Sequence, residues 1–314
     1  MGLAAAVAGA ALGAAAAQAE TRVTLKSAKA DSSYYQMMVQ LSEALRNGTD
    51  GEIIATVEES QGSVQNVMEA MRRPGNYVFT TPPSLIAGAL EGGEPFPANP
   101  AFAEIRSLFS IPYLTMHWVV RADSGVETFA DLAGESFIPG GTGSFGQRQT
   151  VKVFEALGIA DEVDMVDVEL NAAVPAVQNG RVAGFATAGS HPAPNVMELA
   201  AGTDIRLLSL SDEDLAKLGQ GEVIEIPAGT YAGVDQPTRT LSLPVGVYAT
   251  TNMDDDTAYA ITRAFWEQRD QLADSNRWWA AITPDTIATL GTTLHPGALR
   301  YYEEAGIAVP DRLR

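Results

Sequence analysis

Short apolar runs alternate with longer amphipathic ones along most of the chain. From Arg22 onward, the runs VTLKSA, EIIATVEE and NYVFT have the length and residue types of strands. Each is followed by a stretch with apolar residues every three or four positions: SYYQMMVQLSEAL, SVQNVMEAMRR and PSLIAGALEG. This alternation predicts βα units and a mainly parallel sheet. A Pro/Gly-rich surface loop, GGEPFPANP, precedes two further predicted strands, IRSLFSI and LTMHWVVRA.

A second set of similar units begins beyond Arg121. Its predicted strands are ESFIP, VDMVDVEL, VAGFATA and DIRLLSL, and its predicted helices include the one opened by GTGSFG, then AAVPAVQNG and NVMELAA. A strand, LSLPVGVYATT, and two helices, TAYAITRAFWEQRDQL and LHPGALRYYEEAG, remain at the end. We therefore expect an α/β protein of two lobes, each a mixed, mainly parallel sheet flanked by helices, with a ligand cleft between them.

The same pattern predicts the domain organisation. Residues 20–120 are expected to form the first part of lobe 1, residues 121–240 lobe 2, and residues 241–314 the return to lobe 1 with the C-terminal helices. The first nineteen residues, MGLAAAVAGAALGAAAAQA, are apolar, uncharged and end on an A-x-A pattern. They predict a signal peptide cleaved after Ala19 and hence an exported, periplasmic protein. A membrane anchor is the alternative, although Ala and Gly dominate the run where a spanning helix favours Leu and Ile.

Composition narrows the classes of function. The chain has 314 residues, of which 46% are hydrophobic, so it can bury a full core. It contains no cysteine, which excludes disulfides, thiolate metal sites and a cysteine nucleophile. Asp and Glu outnumber Lys and Arg by 39 to 20, for a net charge of −19, which argues against nucleic acid or an anionic membrane as a partner.

The segment GTGSFG, residues 141–146, has the G-x-G-x-x-G spacing of a dinucleotide-binding turn. It lies between a predicted strand and a predicted helix, and Asp167 follows about twenty residues later, where a ribose-binding acid is expected. The motif lies in the middle of the chain, however, and an exported protein meets little free NAD. We favour an anion site in which backbone N–H groups at a helix N-terminus contact the ligand.

Catalytic and metal motifs are weak in this sequence. There is no G-x-S-x-G elbow, no H-E-x-x-H and no pair of histidines with helical ligand spacing. His117 lies in an apolar strand, which favours a core or hinge role, and His295 precedes a helix, which favours a structural one. The acidic run at residues 254–256 is better explained as the first turn of a helix than as a calcium site. The sequence predicts no enzyme, cofactor or metal.

Polar turns follow several predicted strands at the same edge of the sheet. They are DSSYY at 31–35, QGSVQN at 61–66 and TTP at 80–82, with GTGSFG and the GSH segment at 189–191 expected to face them from the other lobe. Each is ordinary as a helix cap, and together they predict a small polar ligand bound between the lobes.

These segments, in this order, resemble the TAXI family of solute-binding proteins of TRAP transporters. The resemblance rests on SSYYQMMVQLSEAL, GSVQN, HWVVRADSGVETFADLAGESFIPGGTGS, AVQNGRVAGFATAGSHP, IPAGTYAGV and LHPGALRYYEEAG, which together span nearly the whole mature chain. It implies a type II periplasmic-binding-protein fold and an extracytoplasmic receptor that closes on a small organic anion, such as glutamate or 2-oxoglutarate. The implied partners are TRAP membrane subunits, expected as a fused permease, and the receptor is expected to be a monomer.

The turns and the resemblance together give the candidate ligand-binding residues. They are Ser33, Tyr34, Tyr35, Ser63, Asn66, Thr80, Thr81, Thr142, Gly143, Ser144, Arg148, Gly189 and His191. Arg148 is the sharpest of these hypotheses, because a guanidinium near the start of the helix after Gly146 could bind a carboxylate with two hydrogen bonds. A solvated helix residue is the alternative.

The first turn departs from the family pattern. Where the family has glycines, this chain has Asp31, which adds negative charge near an anion site unless Lys29 or Arg148 offsets it. The ligand is therefore not fixed as glutamate. Two other functions stay open: a type II binding protein of an ATP-driven importer, and an exported NAD-dependent α/β enzyme.

Overall fold

A computed structural model describes residues 20–73, 75–219 and 222–314, and shows two α/β lobes built on one mixed sheet. The predicted signal peptide lies outside the described residues. Lobe 1 begins with three βα units, formed by β1 (Thr21–Lys26), α1 (Ser33–Gly48), β2 (Ile53–Glu58), α2 (Ser63–Ala70), β3 (Tyr77–Thr81) and α3 (Pro83–Glu91). The long strand β4 (Ile105–Arg121) then carries the chain into lobe 2.

Lobe 2 consists of shorter elements. They are β5 (Ser136–Ile138), α4 (Phe145–Leu157), β6 (Asp164–Met165), α5 (Ala173–Gln178), β7 (Gly184–Gly189), α6 (Pro194–Ala200), β8 (Ile205–Leu207), α7 (Asp212–Leu218) and β9 (Glu222–Ile226). A second long strand, β10 (Thr238–Thr250), returns to lobe 1, where α8 (Asp255–Ser275) and α9 (Pro296–Glu304) complete the fold. Short 3₁₀ turns connect several of these elements.

The sheet passes through both lobes in the strand order β2-β1-β3-β10-β4-β7-β5-β6. Strands β1, β2 and β3 are parallel to one another, as are β5, β6 and β7, while β4 and β10 run antiparallel to their neighbours. β4 also pairs with β8, and β10 with β9. Sequence reasoning predicted one sheet per lobe. The described strands form a single sheet instead, because β4 and β10 hydrogen-bond in both lobes.

Residues 105–121 form one strand, although the sequence predicted two strands separated near Pro112. The register between β4 and β10 shifts at this point, so that Pro112 and Tyr113 lie opposite Pro244. A proline cannot donate to a strand ladder and is tolerated at such a bulge. Residues 112–115 and 242–245, where the strands pass from one lobe to the other, are called the crossover segment below.

The hydrophobic core of lobe 1 lies between the sheet and helices α1 and α8. Helix α1 buries Tyr34, Met37, Met38, Leu41 and Leu45, whose spacing of three and four places them on one face. On the other side of the core, Phe109 of β4 stacks on Phe265 of α8 with ring centroids 3.9 Å apart. This packing fixes the start of α1, and with it the polar turn after β1, against the sheet.

Candidate functional site

A cavity lies between the lobes at the carboxyl ends of the parallel strands. Its volume is about 70 Å³, which suits a small ligand. Lobe 1 contributes residues that follow β1 and β2 and one residue near the end of β3. Lobe 2 contributes residues that follow β5 and β6 and two residues near the end of β7. The lining consists of Ser27, Ala28, Lys29, Ser32, Tyr34, Gln61, Gly62, Ser63, Thr80, Leu114, Gly140, Gly141, Ser144, Phe145, Gly146, Glu169, Leu170, Thr187, Ala188 and Val245.

Three helix N-termini converge on this cavity, those of α1 and α2 from lobe 1 and that of α4 from lobe 2. Ser32 and Ser144 cap α1 and α4 by accepting hydrogen bonds from the N–H groups of Tyr35 and Gln147, both 3.1 Å long. Gly62, which precedes α2, has a φ of 109° and gives no side-chain cap. The first N–H groups of a helix have no acceptor within it and carry partial positive charge. The convergence therefore favours an anionic ligand.

One cation and one carboxylate face each other in the cavity wall. Lys29 Nζ of lobe 1 lies 3.3 Å from Glu169 Oε2 of lobe 2. The Gln61 side-chain amide bridges the pair in the orientation that satisfies both partners: its nitrogen donates to Glu169 and its oxygen accepts from Lys29, each at 3.2 Å. Lys29 is thus paired with Glu169 across the lobes, whereas sequence reasoning considered it as a counter-charge to Asp31. We call Lys29, Gln61 and Glu169 the interlobe latch.

Tyr34 connects the cavity to the crossover segment. Its side chain lines the cavity, and its hydroxyl donates to the carbonyl oxygen of Pro112 at 2.6 Å. Burial raises the pKa of Tyr34 well above its ordinary value, so the phenol stays protonated and keeps this bond. The first turn of α1 is thereby attached to the strand that joins the lobes.

Asn66 holds the cavity wall together from behind. It is fully buried and does not line the cavity. Its Nδ2 donates to the carbonyl oxygens of Ser27 and Thr80, at 2.7 and 3.0 Å, and so ties the ends of β1 and β3 to α2. Ser27 itself lines the cavity, and its buried hydroxyl has no hydrogen-bond partner among the described residues.

The GTGSFG turn is built around Asp167. The Asp167 carboxylate accepts from the Thr142 hydroxyl at 2.7 Å and from Gln147 Nε2 at 2.9 Å, while Gln147 Oε1 accepts from the N–H of Gly143 at 2.7 Å. A carboxylate engaged in this way supports the turn and is not directed at a ribose. Gly146 has a packing reason, since a Cβ at this position would lie 3.2 Å from that of Ala188 on β7.

The structure brings four of the predicted residues into the cavity wall and places the others around it. Those in the wall are Tyr34, Ser63, Thr80 and Ser144. Those outside it are Ser33, Tyr35, Asn66, Thr81, Thr142, Gly143, Arg148, Gly189 and His191.

Ser33 and Gly189 form a contact between the lobes. The Ser33 hydroxyl accepts from the N–H of Ser190 at 3.0 Å, and a Cβ on Gly189 would lie 2.9 Å from that hydroxyl oxygen. Arg148 lies in the second turn of α4, is partly buried, and makes no ion pair with the described residues. His191, expected to face the cleft, lines a different cavity, where its Nδ1 lies 3.2 Å from the Thr115 hydroxyl.

Sequence reasoning missed Ser27, Gln61 and Glu169 as wall residues. Ser27 follows β1 directly and Gln61 lies three residues beyond β2, so the rule that ligands meet the carboxyl ends of parallel strands could have found them. Glu169 follows the two-residue strand β6, and nothing in its local pattern indicates that it faces Lys29 from the other lobe.

Known proteins match the chain over most of its length. The model of the NMT1-like family matches residues 25–306. The chain belongs to the NMT1-like family. Among solved structures, this NMT1-like protein is similar to MatC from Rhodopseudomonas palustris with bound malate, with a TM-score of 0.58, 13% identity, and coverage of 91% of this chain and 97% of the other.

Two further structures have the same fold as the NMT1-like chain. An R. palustris protein with adipate gives a TM-score of 0.55 at 18% identity over 92% of this chain and 98% of the other. The periplasmic binding protein BugD gives 0.53 at 12% identity, with 91% and 98% covered. At these identities the likeness is one of fold, and it confirms the periplasmic-binding-protein architecture predicted from the sequence. Over the described residues, no helix of this family member has both the length and the apolar character needed to span a bilayer.

Proposed function

We propose that this NMT1-like protein is an extracytoplasmic solute receptor that closes its lobes on a small organic anion. The observation that carries the proposal is the convergence of the α1, α2 and α4 N-termini, from both lobes, on one small cavity. An anion held there would contact both lobes at once and would therefore stabilise the closed arrangement. Among the described residues, no serine or threonine hydroxyl of this cavity hydrogen-bonds to the side chain of Lys29 or Glu169, which favours binding over catalysis.

The ligand class follows from the two charges in the cavity wall. Helix N-termini and Lys29 suit a carboxylate, and the neighbouring structures contain malate and adipate. Glu169 separates two subclasses, because the ammonium group of an amino acid would pair with it, whereas a dicarboxylate without an ammonium group would bring only negative charge to it unless Lys29 stays between them. We therefore propose an amino acid such as glutamate ahead of a dicarboxylate such as 2-oxoglutarate.

The delivery partner we propose is the membrane part of a TRAP transporter of the TAXI type, with the receptor acting as a monomer. The proposal rests on the ordered motifs of the sequence, and a binding protein of an ATP-driven importer has the same fold class. An NAD-dependent enzyme is disfavoured, since Asp167, the expected ribose-binding acid, is engaged by Thr142 and Gln147.

A panel of ligands tests the receptor function. Thermal unfolding is measured with glutamate, malate, adipate, 2-oxoglutarate and NAD, followed by calorimetry on each compound that raises Tm. A receptor gains stability by RT ln(1 + [L]/Kd) with a small acid and none with NAD. Stabilisation by NAD alone would contradict the proposal.

Charge variants then test the site. We expect Lys29→Gln to weaken binding of the best acid about tenfold, roughly 1.4 kcal/mol, because it removes the cation in the wall. Lys152→Gln, on the exposed side of α4, is the matched control and should bind as the natural protein does. Arg148→Ala tests the carboxylate clamp, and an affinity within about twofold of the natural protein's would exclude Arg148 from the site.

A further inference from the structure

A second, larger cavity lies behind the strands that join the lobes. Consecutive residues of a strand point to opposite faces of the sheet. On β4, Leu114 lines the cavity between the lobes described above, called the ligand cavity from here on, while its neighbours Tyr113 and Thr115 line the second cavity. Ser242 of β10, which pairs with Thr115, lines the second cavity as well. Its volume is about 540 Å³. We call it the rear cavity.

Both lobes contribute to the walls of the rear cavity. Lobe 2 supplies His191 and Ile224, and lobe 1 supplies Arg277, Trp278 and Thr286 from the segment between α8 and α9. The crossover segment lies between the two cavities. A rotation about it that separates Lys29 from Glu169 at the front must therefore bring Trp278 closer to Ile224 at the rear. The rear cavity is therefore open when the ligand cleft is closed, and it narrows when the cleft opens.

The chemistry of the rear cavity is that of a site for an anion with an apolar body. Arg277 is exposed, and among the residues that the structure describes it makes no salt bridge and no acidic side chain lines the cavity. Trp278 and Tyr113 supply aromatic surface, to which three prolines add apolar surface. Ser190 and Ser242, which are at most 3% exposed, have hydroxyls without a hydrogen-bond partner among the described residues.

We propose that the rear cavity is a second binding site, for a small carboxylate on an aromatic or branched apolar body, and that its occupancy favours the closed lobes. The Arg277 guanidinium binds the carboxylate with paired hydrogen bonds, and the ring of the ligand packs on Trp278. Because a ligand held on Arg277 and Trp278 of lobe 1 fills the space between them and Ile224 of lobe 2, it opposes the rotation that opens the cleft. The site is separate from the ligand cavity and goes beyond the function proposed above.

Benzoate is a suitable probe for the rear cavity, because it is a small carboxylate on an aromatic ring. Its binding is measured with the full-length protein. We expect calorimetry to show benzoate binding at millimolar concentration, weakened at least about tenfold by Arg277→Gln, since the charge–carboxylate pair is lost. Arg46→Gln, an exposed arginine on α1, is the matched control. Lys29→Gln leaves the rear cavity intact and breaks only the interlobe pair, so it should weaken benzoate binding by no more than about fivefold. This pattern does not depend on the identity of the solute at the front.

Closure is measured in the same protein by fluorescence energy transfer. The chain has no cysteine, so Arg72→Cys in lobe 1 and Asp161→Cys in lobe 2 can be labelled specifically at exposed positions. Benzoate should shift the distribution toward the short distance, and Arg277→Gln should abolish that shift. Absence of benzoate binding, binding weakened more by Lys29→Gln than by Arg277→Gln, or binding without a change in the distance distribution would each overturn the proposal.

Discussion

His117 shows how a single buried side chain makes stability depend on pH. Its Nδ1 donates to the Thr115 carbonyl oxygen at 3.1 Å, because a carbonyl can only accept, and its Nε2 accepts from the Tyr231 hydroxyl at 2.8 Å. The same hydroxyl accepts from the N–H of Ala193 at 2.7 Å. The network is complete with a neutral imidazole, and burial lowers the pKa of His117 from 6.5 to about 3.

We expect this histidine to destabilise the protein in acid. Between pH 6.5 and 3 the unfolded chain binds a proton that the folded chain does not, so the free energy of unfolding falls as the pH falls. From pH 7 to 5 the loss amounts to about 2 kcal/mol. Urea unfolding at both pH values should show a smaller loss in His117→Gln. Burial also lowers the pKa of His191, but this histidine is less buried, so His191→Gln should reduce the loss by less than His117→Gln. Equal pH dependence of the His117 variant and the natural protein would contradict the expectation.

Elements of the fold were predictable wherever a local pattern determines them. The βα units of lobe 1 follow from periodicity, and α1 begins at Ser33, within the predicted SYYQMMVQLSEAL. Strand β9 was missed, because its alternating residues are mostly exposed and it is held by pairing with β10, a contact over a distance in sequence. The break expected at Pro112 was wrong for the same reason: the bulge that tolerates the proline is set by Pro244 on the partner strand.

Part of the candidate site was predictable from the sequence, and the residues that were predicted differ from those that were missed in a physical respect. Turns at strand ends are local, so Ser63, Thr80 and Ser144 were assigned to the region they line. Contacts between lobes are not local, which is why Glu169 was missed and His191 was expected at the front when it lies at the rear. The direction of a strand determines at which edge of the sheet a residue lies. It does not determine whether that residue lines the cavity at the front or the cavity at the rear of the sheet.

Glycines in the turn before α4 provide a prediction at the level of one element. A Cβ on Gly140 would lie 2.5 Å from the backbone nitrogen of Gln147, whereas a Cβ on Gly143 would meet nothing within 4 Å, although both residues have positive φ. Gly143→Ala should cost about 1–2 kcal/mol, the cost of a left-handed backbone. Gly140→Ala should cost more, because it also displaces the start of α4. Chemical denaturation of the two variants compares them, and equal losses would show that the close approach does not matter.

At the level of the whole molecule, the interlobe latch should bias the receptor toward closure. The Lys29 and Glu169 side chains are 34% and 44% exposed, so solvent screens their attraction and we expect no more than about 1 kcal/mol from it. Lys29→Met should therefore lower the closed-to-open ratio of the ligand-free protein by up to about fivefold. The labels described above report that ratio, and added salt should reduce it in the natural protein but not in the variant.

An ion pair within lobe 2 provides the control for this measurement. Lys217 lies 2.9 Å from Glu213 on α7, so Lys217→Met removes a similar pair that does not connect the lobes. The distance distribution should be unchanged by this variant. If both lysine variants gave the same distribution as the natural protein, the latch would have no part in positioning the lobes.

The prolines of the crossover segment determine how easily the connection between the lobes bends. Pro112 and Pro244 have no N–H to donate, so the place where both long strands pass between the lobes has fewer backbone hydrogen bonds than a regular ladder. Bending of the crossover segment therefore breaks few backbone hydrogen bonds. Side-chain contacts oppose this bending, such as the hydrogen bond from the Tyr34 hydroxyl to the Pro112 carbonyl oxygen. A joint of this kind bends at low cost, so in the receptor proposed above a weakly bound solute would suffice to close the lobes and its release would let them open again.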